Sequence, residues 1–392
     1  MRPLEGITVV ALEQVIAAPF ATRQLAELGA RVIKIERPGT GDASRGYDRA
    51  VRGLSSHFVW TNRSKESLAL DVKHPAAKPL LDKLIGMADV FVQNLGPGAA
   101  ERLGLGAAEL RAKWPRLVCC AISGYGPSGP YAGKKAYDLL VQCEAGLLSV
   151  TGTPEAPCKA GIPVADIAAG MYALSAVLAA LLRRGRSGEG ATLEISMFES
   201  LGEWMGFPAH FARYGGSPPP RSGAYHATIV PYGPFRTGDG GTVFLSVQNE
   251  REFERFCDRV LSSPALKSDP RFSSGPSRAA NRDAMHAEIE RVFSKRKTPE
   301  IVAALEAAEI ACARLNTMQE FWEHDQLKAR NRFATLGTPA GPIQALKPPF
   351  NFEGLEPRMD AVPALGEHTR PILRELGCDE AAVARLAAAG AI

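Results

Sequence analysis

The sequence predicts an α/β protein with a large, doubly wound domain and a smaller α+β domain. Three observations carry this reading. The first residues alternate strand, helix and strand, and that alternation recurs to about residue 210. A breaker cluster, "GGSPPPRSG" at 215–223, then interrupts the chain. A strand–turn–strand pattern and a run of helices follow it. The 392 residues, 45% hydrophobic and 22% charged, suffice for one large domain and one smaller one.

The elements follow in order. "GITVVALE" is a short apolar strand, and "APFATRQLAELGA" is a helix with Phe20, Leu25 and Leu28 at helical spacing and a stop at Gly29. "RVIKIERP", with Val32, Ile33 and Ile35, is the second strand and closes a βαβ unit on a parallel sheet. "SLALDV", "DVFVQNL" and "RLVCCAISG" read as further strands, and "PAAKPLLDKLIGMA" as a helix. Residues 1–214 form the first part of the large domain and 215–224 the linker. "YGPFRTGDGGTVFLSV" is a hairpin turning at "GDGG". The helical stretches "NEREFERFCDRVLSS", "NRDAMHAEIERVFSKR" and "TPEIVAALEAAEI" complete a small domain over 225–310. The segment 311–392 ends in two short helices, "TRPILRELG" and "DEAAVARLAAAG".

"GIPVADIAAGMYALSAVLAALL", residues 161–182, holds a single charge from Ala165 to Leu182, and that charge is Asp166. The run nears the ~20 residues of a membrane span. It is rich in Ala and Gly, opens on an acid and has no companion, so a buried core helix is expected and no membrane is. Net charge is +4 with no basic block, which argues against a nucleic-acid stripe. Seven cysteines, odd in number and without CxxC, argue against a disulfide framework or zinc site and for a reducing compartment. The opening "MRPLEGITVVALEQ" lacks a signal-peptide apolar region, so a cytoplasmic location is expected. The seven histidines have no HxH or HxxxH spacing, and no metal is expected.

Two glycine-rich loops, "RPGTGDASRG" and "NLGPGAAERLG", follow strands, where a doubly wound sheet binds ligands. Neither is a P-loop or a GxGxxG fingerprint. The loop after the first strand, "EQVIAAP", lacks the glycines that admit a pyrophosphate, which argues against a nicotinamide dehydrogenase. Arg37, Arg45, Lys73, Arg102 and Lys135 lie beside such loops. They read either as solvated surface charge or as cations converging on a nucleotide-like anion. Tyr137 and Asp138 precede an apolar helix in "KKAYDLLVQCEAGL", and Asp138 reads as an N-cap or as a chemical acid. Asp166 falls in a first helical turn, where free N–H groups and the helix dipole favour the ionised form and offset desolvation. It is either a structural cap or a carboxylate nucleophile.

With these residues in hand, the chain resembles the class III CoA-transferases, the formyl-CoA transferase and carnitine CoA-transferase family. The likeness runs from "GITVVALEQVIAAPFATRQLAELGARVIKIERPGTGD" through "LALDVKHP", "ADVFVQNLGPGAAERLGL", "AISGYGPSGPYAG", "AYDLLVQCEAGLLSVTG" and "VADIAAGMYA" to "GRSGEGATLEISMFES" and "LGEHTRPILRELG". The resemblance implies that Asp166 is the nucleophile, with Tyr137 and Asp138 beside it. It implies that Arg37 and Arg102 meet the nucleotide phosphates of CoA, with Asn94, Gly96 and Gly98 at the "GPG" turn, Lys135 on the phosphate side and Lys73 in a lesser part. CoA enters as the acyl-CoA substrate, and no tightly bound cofactor is implied. The implied fold is a large Rossmann-like domain completed by the C-terminal segment, plus the small domain. Two chains are interlocked in a homodimer, with each active site shared between the large domain of one and the small domain of the other.

Two departures bear on substrate. A glutamine of the formyl-CoA transferase first loop is Ile16 here, and its glycine-rich flap reads "AYHATIVPYGPF". Oxalate and formate are therefore disfavoured. The likeness points to C4 and C5 dicarboxylates such as mesaconate, itaconate, citramalate and succinate, with Arg221 or His226 as candidate cations for the second carboxylate. Two rivals remain at this stage. An α-methylacyl-CoA racemase of the same fold needs a histidine before the acid at 138, where this chain has Tyr137, whose ordinary pKa of about 10 suits a base poorly near neutrality. A non-catalytic acyl-CoA binding protein would keep the cations and use Asp166 as a cap.

Overall fold

The computed structural model describes residues 1–392, which divide into two compact units. The first comprises Met1–Ala145, Ala160–Gly206 and Ala329–Ile392. Its centre is a six-stranded sheet of β1 (Thr8–Leu12), β2 (Arg31–Glu36), β3 (Glu66–Ala69), β4 (Val90–Gln93), β5 (Val118–Ser123) and β6 (Ala191–Ser196). The spatial order is β3-β2-β1-β4-β5-β6 and every pairing is parallel. Val10 stands between Ile33 and Phe91 in register. The order in which strands are added reverses between β1 and β4, the place where a doubly wound sheet opens a cleft beyond its strand ends.

The strands read as near-continuous apolar runs because helices cover both faces. Successive side chains alternate between faces. Val9 and Ala11 join one core with α1 (Ala17–Glu27) and the long helix α5 (Val164–Ser187). Val10 and Leu12 join the other, with α3 (Ala77–Gly86) and the two C-terminal helices α7 (Thr369–Glu375) and α8 (Glu380–Ala388). The remaining labelled helices of this unit are α2 (Ser56–Asn62), α4 (Asp138–Glu144) and α6 (Met197–Trp204).

Helix α5 has the length and apolarity of a membrane span, and its buried face packs inside the unit. Ala165, Ala169, Ala173 and Val177 lie in the core, whereas Met171 and Leu182 are exposed, so the expected core helix is buried along one face only. Gly170 explains the close approach to α1. A Cβ there would stand 2.7 Å from the Ala17 carbonyl oxygen and 2.9 Å from the Phe20 ring.

The second unit comprises Gly146–Lys159 and Phe207–Lys328. The hairpin Tyr232–Arg236 and Thr242–Ser246 forms as the sequence predicts, and Ala311–Arg314 adds a third antiparallel strand. Phe235, Phe256, Phe272, Phe293 and Ile289 fill its core. Its limits differ from 225–310. The third strand carries it past 310, and "GGSPPPRSG" lies inside it rather than between domains. The cause is a pairing across about seventy residues of sequence. Arg221 donates to the carbonyls of Thr153 and Pro154, both at 2.9 Å, and the Gly223 N–H donates to the Gly152 carbonyl at 2.7 Å.

Candidate active site

The loop after β1 is pinned from two sides. The Gln14 N–H donates to Asn94 Oδ1 at 2.8 Å and Asn94 Nδ2 donates to the Gln14 carbonyl at 2.9 Å, which ties the loops after β1 and β4 together. Val15 sits at φ +65°, a conformation a β-branched residue rarely adopts. Its N–H donates to both carboxylate oxygens of Asp42, at 3.1 and 3.2 Å. Asp42 is held in turn by Lys34 at 2.7 Å, Lys34 lies 3.4 Å from Glu13, and Glu13 pairs with Lys65 at 2.7 Å. All four side chains are fully buried.

Burial opposes ionisation in this network. In Glu13 the attraction of Lys65 and Lys34 outweighs burial, and in Asp42 that of Lys34 does, so both stay below the ordinary carboxylate range. Burial pushes Lys65 down to about 7 against the pull of Glu13. Two acids and two bases thus hold one strained residue. Directly after it α1 begins, with no side-chain cap and with Pro19 in its first turn. The first-turn amides of Ala17 and Ala18 are left without a capping acceptor.

Asp166 opens α5, whose N-cap, Pro163, offers no side-chain acceptor. The acceptor comes from 28 residues away. Asp138 Oδ1 takes the Ala165 N–H at 2.8 Å and the Asp166 N–H at 3.3 Å. Its Oδ2 takes Gln142 Nε2 at 2.5 Å, and Gln142 Oε1 accepts from the Ala160 N–H at 2.9 Å. Asp138 therefore collects the helix N-terminus that the sequence assigned to Asp166. The Asp166 carboxylate has no hydrogen-bond partner in the chain. Burial first, and the charge of Asp138 second, push it up to about 7. This corrects the expectation that the helix end favours its ionised form. The result is a partly buried, unpaired carboxylate that titrates near neutrality, poorly hydrated and able to act as a nucleophile.

Tyr137 caps α4 through its backbone and leaves its ring exposed. Tyr47 joins the neighbourhood. Its phenol is pushed up by burial and then by the charges of Asp42, Tyr137 and Asp166. Sequence reading missed it, although it directly follows the glycine-rich stretch after β2.

The other candidate residues line the carboxyl edge of the sheet. Arg37 follows β2, Lys73 follows β3, Asn94 follows β4 and Lys135 lies in the segment after β5. Arg37, Lys73 and Lys135 are exposed and make no side-chain hydrogen bond or ion pair. Arg102 reaches only the Pro97 carbonyl, at 3.4 Å, and lies over Gly98, where a Cβ would stand 2.8 Å from its guanidinium. Gly96 and Gly98 are exposed. Arg45 is different. It is occupied by Glu36 at 2.8 Å and stacks 3.7 Å over the Phe58 ring. Asn94 is occupied by Gln14. No group of three or more His, Cys, Asp or Glu is placed to hold a metal ion.

The two cations expected for a second carboxylate are not available as such. Arg221 is occupied by the two carbonyls above. His226 Nδ1 accepts the N–H groups of Thr228 and Ile229, at 3.2 and 3.0 Å, and burial followed by the Arg282 charge lowers its affinity for a proton.

Known proteins resemble the chain over nearly its whole length. Residues 4–369 match the family described as CoA-transferase family III. The mouse (Mus musculus) protein named succinyl-CoA:glutarate CoA-transferase is 32% identical, over 100% of this chain and 91% of its own length. The Acetobacter aceti protein named acetyl-CoA:oxalate CoA-transferase is 33% identical, over 87% of this chain and 89% of its own. A solved CAIB/BAIF family protein from Brucella suis superimposes with a TM-score of 0.83 at 31% identity, covering 96% of this chain and 99% of that one.

Proposed function

The chain belongs to CoA-transferase family III, and from that premise we propose that it moves CoA between an acyl-CoA and a C4–C5 dicarboxylic acid through a covalent bond to Asp166. One observation carries the covalent step. Asp166 is the carboxylate at the sheet's carboxyl edge that has no partner and ionises near neutrality, while its neighbour Asp138 is committed to the helix end.

The chemistry needs no net proton. An Asp166 oxygen attacks the thioester carbonyl, the C–S bond breaks, and CoA leaves as thiolate from a mixed anhydride. The thiolate attacks the aspartyl carbonyl and releases the donor acid as carboxylate. The acceptor carboxylate attacks the resulting enzyme thioester, expels the thiolate and forms a second anhydride. The thiolate then attacks the acceptor's carbonyl, giving the new acyl-CoA and free Asp166. Each half of the cycle, from one thioester to the next, trades one carboxylate for another and is near balance, with the anhydride between them higher in energy. The uncapped amides at the start of α1 are the donors we assign to the carbonyl oxygens as they become negative. Arg37, Arg102, Lys135 and Lys73, on the same edge of the sheet, are the cations assigned to the CoA phosphates, with Gly96 and Gly98 allowing close approach of the backbone. Asp138 keeps Asp166 in place, and Tyr137 and Tyr47 border it.

The C4–C5 preference is supported by the name of the mouse relative, with succinyl and glutarate, and not by that of the Acetobacter aceti relative, with oxalate. A homodimer completes the reading, supported by the exposed Met171, Leu182, Trp204 and Tyr214, and a cytoplasmic location is proposed on the cysteine pattern of the sequence. Light scattering of the purified protein tests the dimer. The racemase alternative lacks a base where Tyr137 stands, and the binding-protein alternative makes Asp166 a cap, a part Asp138 already fills. The deciding experiment offers acyl-CoA donors to mono- and dicarboxylic acids and follows the products by mass spectrometry. Hydroxylamine then traps the activated carboxylate. Transfer with the label on Asp166 supports the reading. Undiminished transfer by Asp166→Asn, with deamidation excluded, overturns it.

A further inference from the structure

A dicarboxylic substrate brings one carboxylate to Asp166 and a second that must be met elsewhere. With Arg221 and His226 engaged, the first unit holds a different candidate. Phe20 of α1 marks the place. Its ring packs against Trp60 of α2, with centroids 5.3 Å apart, and also stands against Gly170 of α5. One turn toward the N-terminus from Gly170 is Asp166, and one turn toward the N-terminus from Trp60 is His57. The two helices thus carry an acid and an imidazole, each one turn from a residue that contacts the same phenylalanine.

Tyr47 links them. Its ring stands edge-on to His57, at 5.6 Å between centroids and 75° between planes, and its hydroxyl feels the charge of Asp166. Behind His57 lies Asp48. Its Oδ1 accepts the N–H groups of Ser56 and Ala50, both at 2.9 Å, and its Oδ2 accepts the Ser56 hydroxyl at 2.8 Å. The backbone donors hold Asp48 well below the usual carboxylate range, so it stays ionised. The same Oδ2 is 3.2 Å from His57 Nδ1 and fixes the ring. Nε2 has no partner in the chain. With one nitrogen held by a fixed carboxylate and the other open, the imidazolium form of this ring donates at both ends, Nδ1–H to Asp48 and Nε2–H to an incoming anion.

We propose that His57, braced by Asp48 and flanked by Tyr47, binds the second carboxylate of a dicarboxylic acid reacting at Asp166. The proposal rests on the transferase reading above. His57 is a specificity residue in this assignment. It touches the far end of the substrate and takes no part in bond making.

The test compares two acceptors of equal length on the full chain with one acyl-CoA donor: glutarate, and valerate, which has a methyl group in place of the second carboxylate. The ratio of kcat/KM for glutarate to that for valerate is measured for the unaltered protein, His57→Gln and His57→Lys. A charge-assisted hydrogen bond lost from one acceptor and not the other predicts at least a tenfold fall of the ratio in His57→Gln, through the KM for glutarate. His57→Lys, which returns a cation, recovers part of that loss. The His57 side chain is 44% exposed, so neither replacement opens a cavity. A ratio within twofold of the unaltered protein's in His57→Gln overturns the proposal, as does an equal loss on both acceptors. No preference for glutarate in the unaltered protein overturns it and leaves the transferase reading intact. No transfer to any acid overturns both.

Discussion

Replacing Asp166 by asparagine should stabilise the protein while abolishing its chemistry. The carboxylate ionises at about 7 in the folded chain, against an ordinary 3.8. A raised folded pKa means the folded state binds the proton more tightly than the unfolded chain. That contribution to stability is full below about pH 4 and is lost as pH rises to about 7. Three pKa units correspond to about 4 kcal/mol at full burial. Asp166 keeps some solvent contact, so about 1–3 kcal/mol is expected at pH 8 after screening. At about 2–4 °C per kcal/mol for a unit of this size, Asp166→Asn should melt about 5 °C higher at pH 8. The assay is thermal unfolding of both proteins from pH 4.5 to 9, followed through the transition of the first unit. Taking the difference at each pH cancels all other titrating groups. The gap should widen up to about pH 7 and then stay level. A gap independent of pH, or a variant that melts lower at pH 8, would refute the reasoning that burial and Asp138 hold this acid in a costly state. Mass spectrometry of the intact chain excludes deamidation back to aspartate.

Three further outcomes follow from the same geometry. Asp138→Asn removes the charge that helps raise Asp166, so the acid limb of the pH–rate profile should move to lower pH; a limb that stays put or moves up contradicts the coupling. Asp42→Asn leaves Lys34 short of its partner in a fully buried network and loosens Val15; urea unfolding should show a loss of about 3–5 kcal/mol, and kcat should fall in whatever fraction remains folded. Arg37→Gln and Lys135→Gln should each raise the KM for acyl-CoA several-fold, more at low salt than at high, with kcat changed less than threefold; an effect on kcat alone would take these cations away from the phosphates.

Much of the architecture was legible because parallel strands covered on both faces leave apolar runs, and "TVVAL" could be little else. Asp166 was legible for the opposite reason, as a lone charge in a greasy helix. What escaped was every property set by a partner distant in sequence. Lys34 looks like a solvent-facing residue of an alternating strand, yet it is fully buried between Asp42 and Glu13. Arg45 has the same local context as Arg37, yet Glu36 and Phe58 occupy it while Arg37 stays free. The small unit reaches back to Gly146–Lys159 through Arg221, a contact no local pattern announces.

The ionisation of Asp166 shows why such partners decide chemistry. Position in a first turn favours a carboxylate only if the turn's N–H groups are its own to use. Asp138 takes them, and so one acid satisfies the helix end and leaves the other with burial alone. An ordinary cap would have joined both duties in one side chain and left a carboxylate too stable to attack a thioester. Dividing them leaves Asp138 fixed on the helix end and Asp166 without a partner, as the proposed nucleophile requires. The buried pairs beneath Val15 do the corresponding work for the backbone, holding a left-handed turn just before α1 so that its first amides stay open. Both halves of the candidate site are thus arranged the same way: a second group takes over the structural duty, and the group left over has no partner of its own.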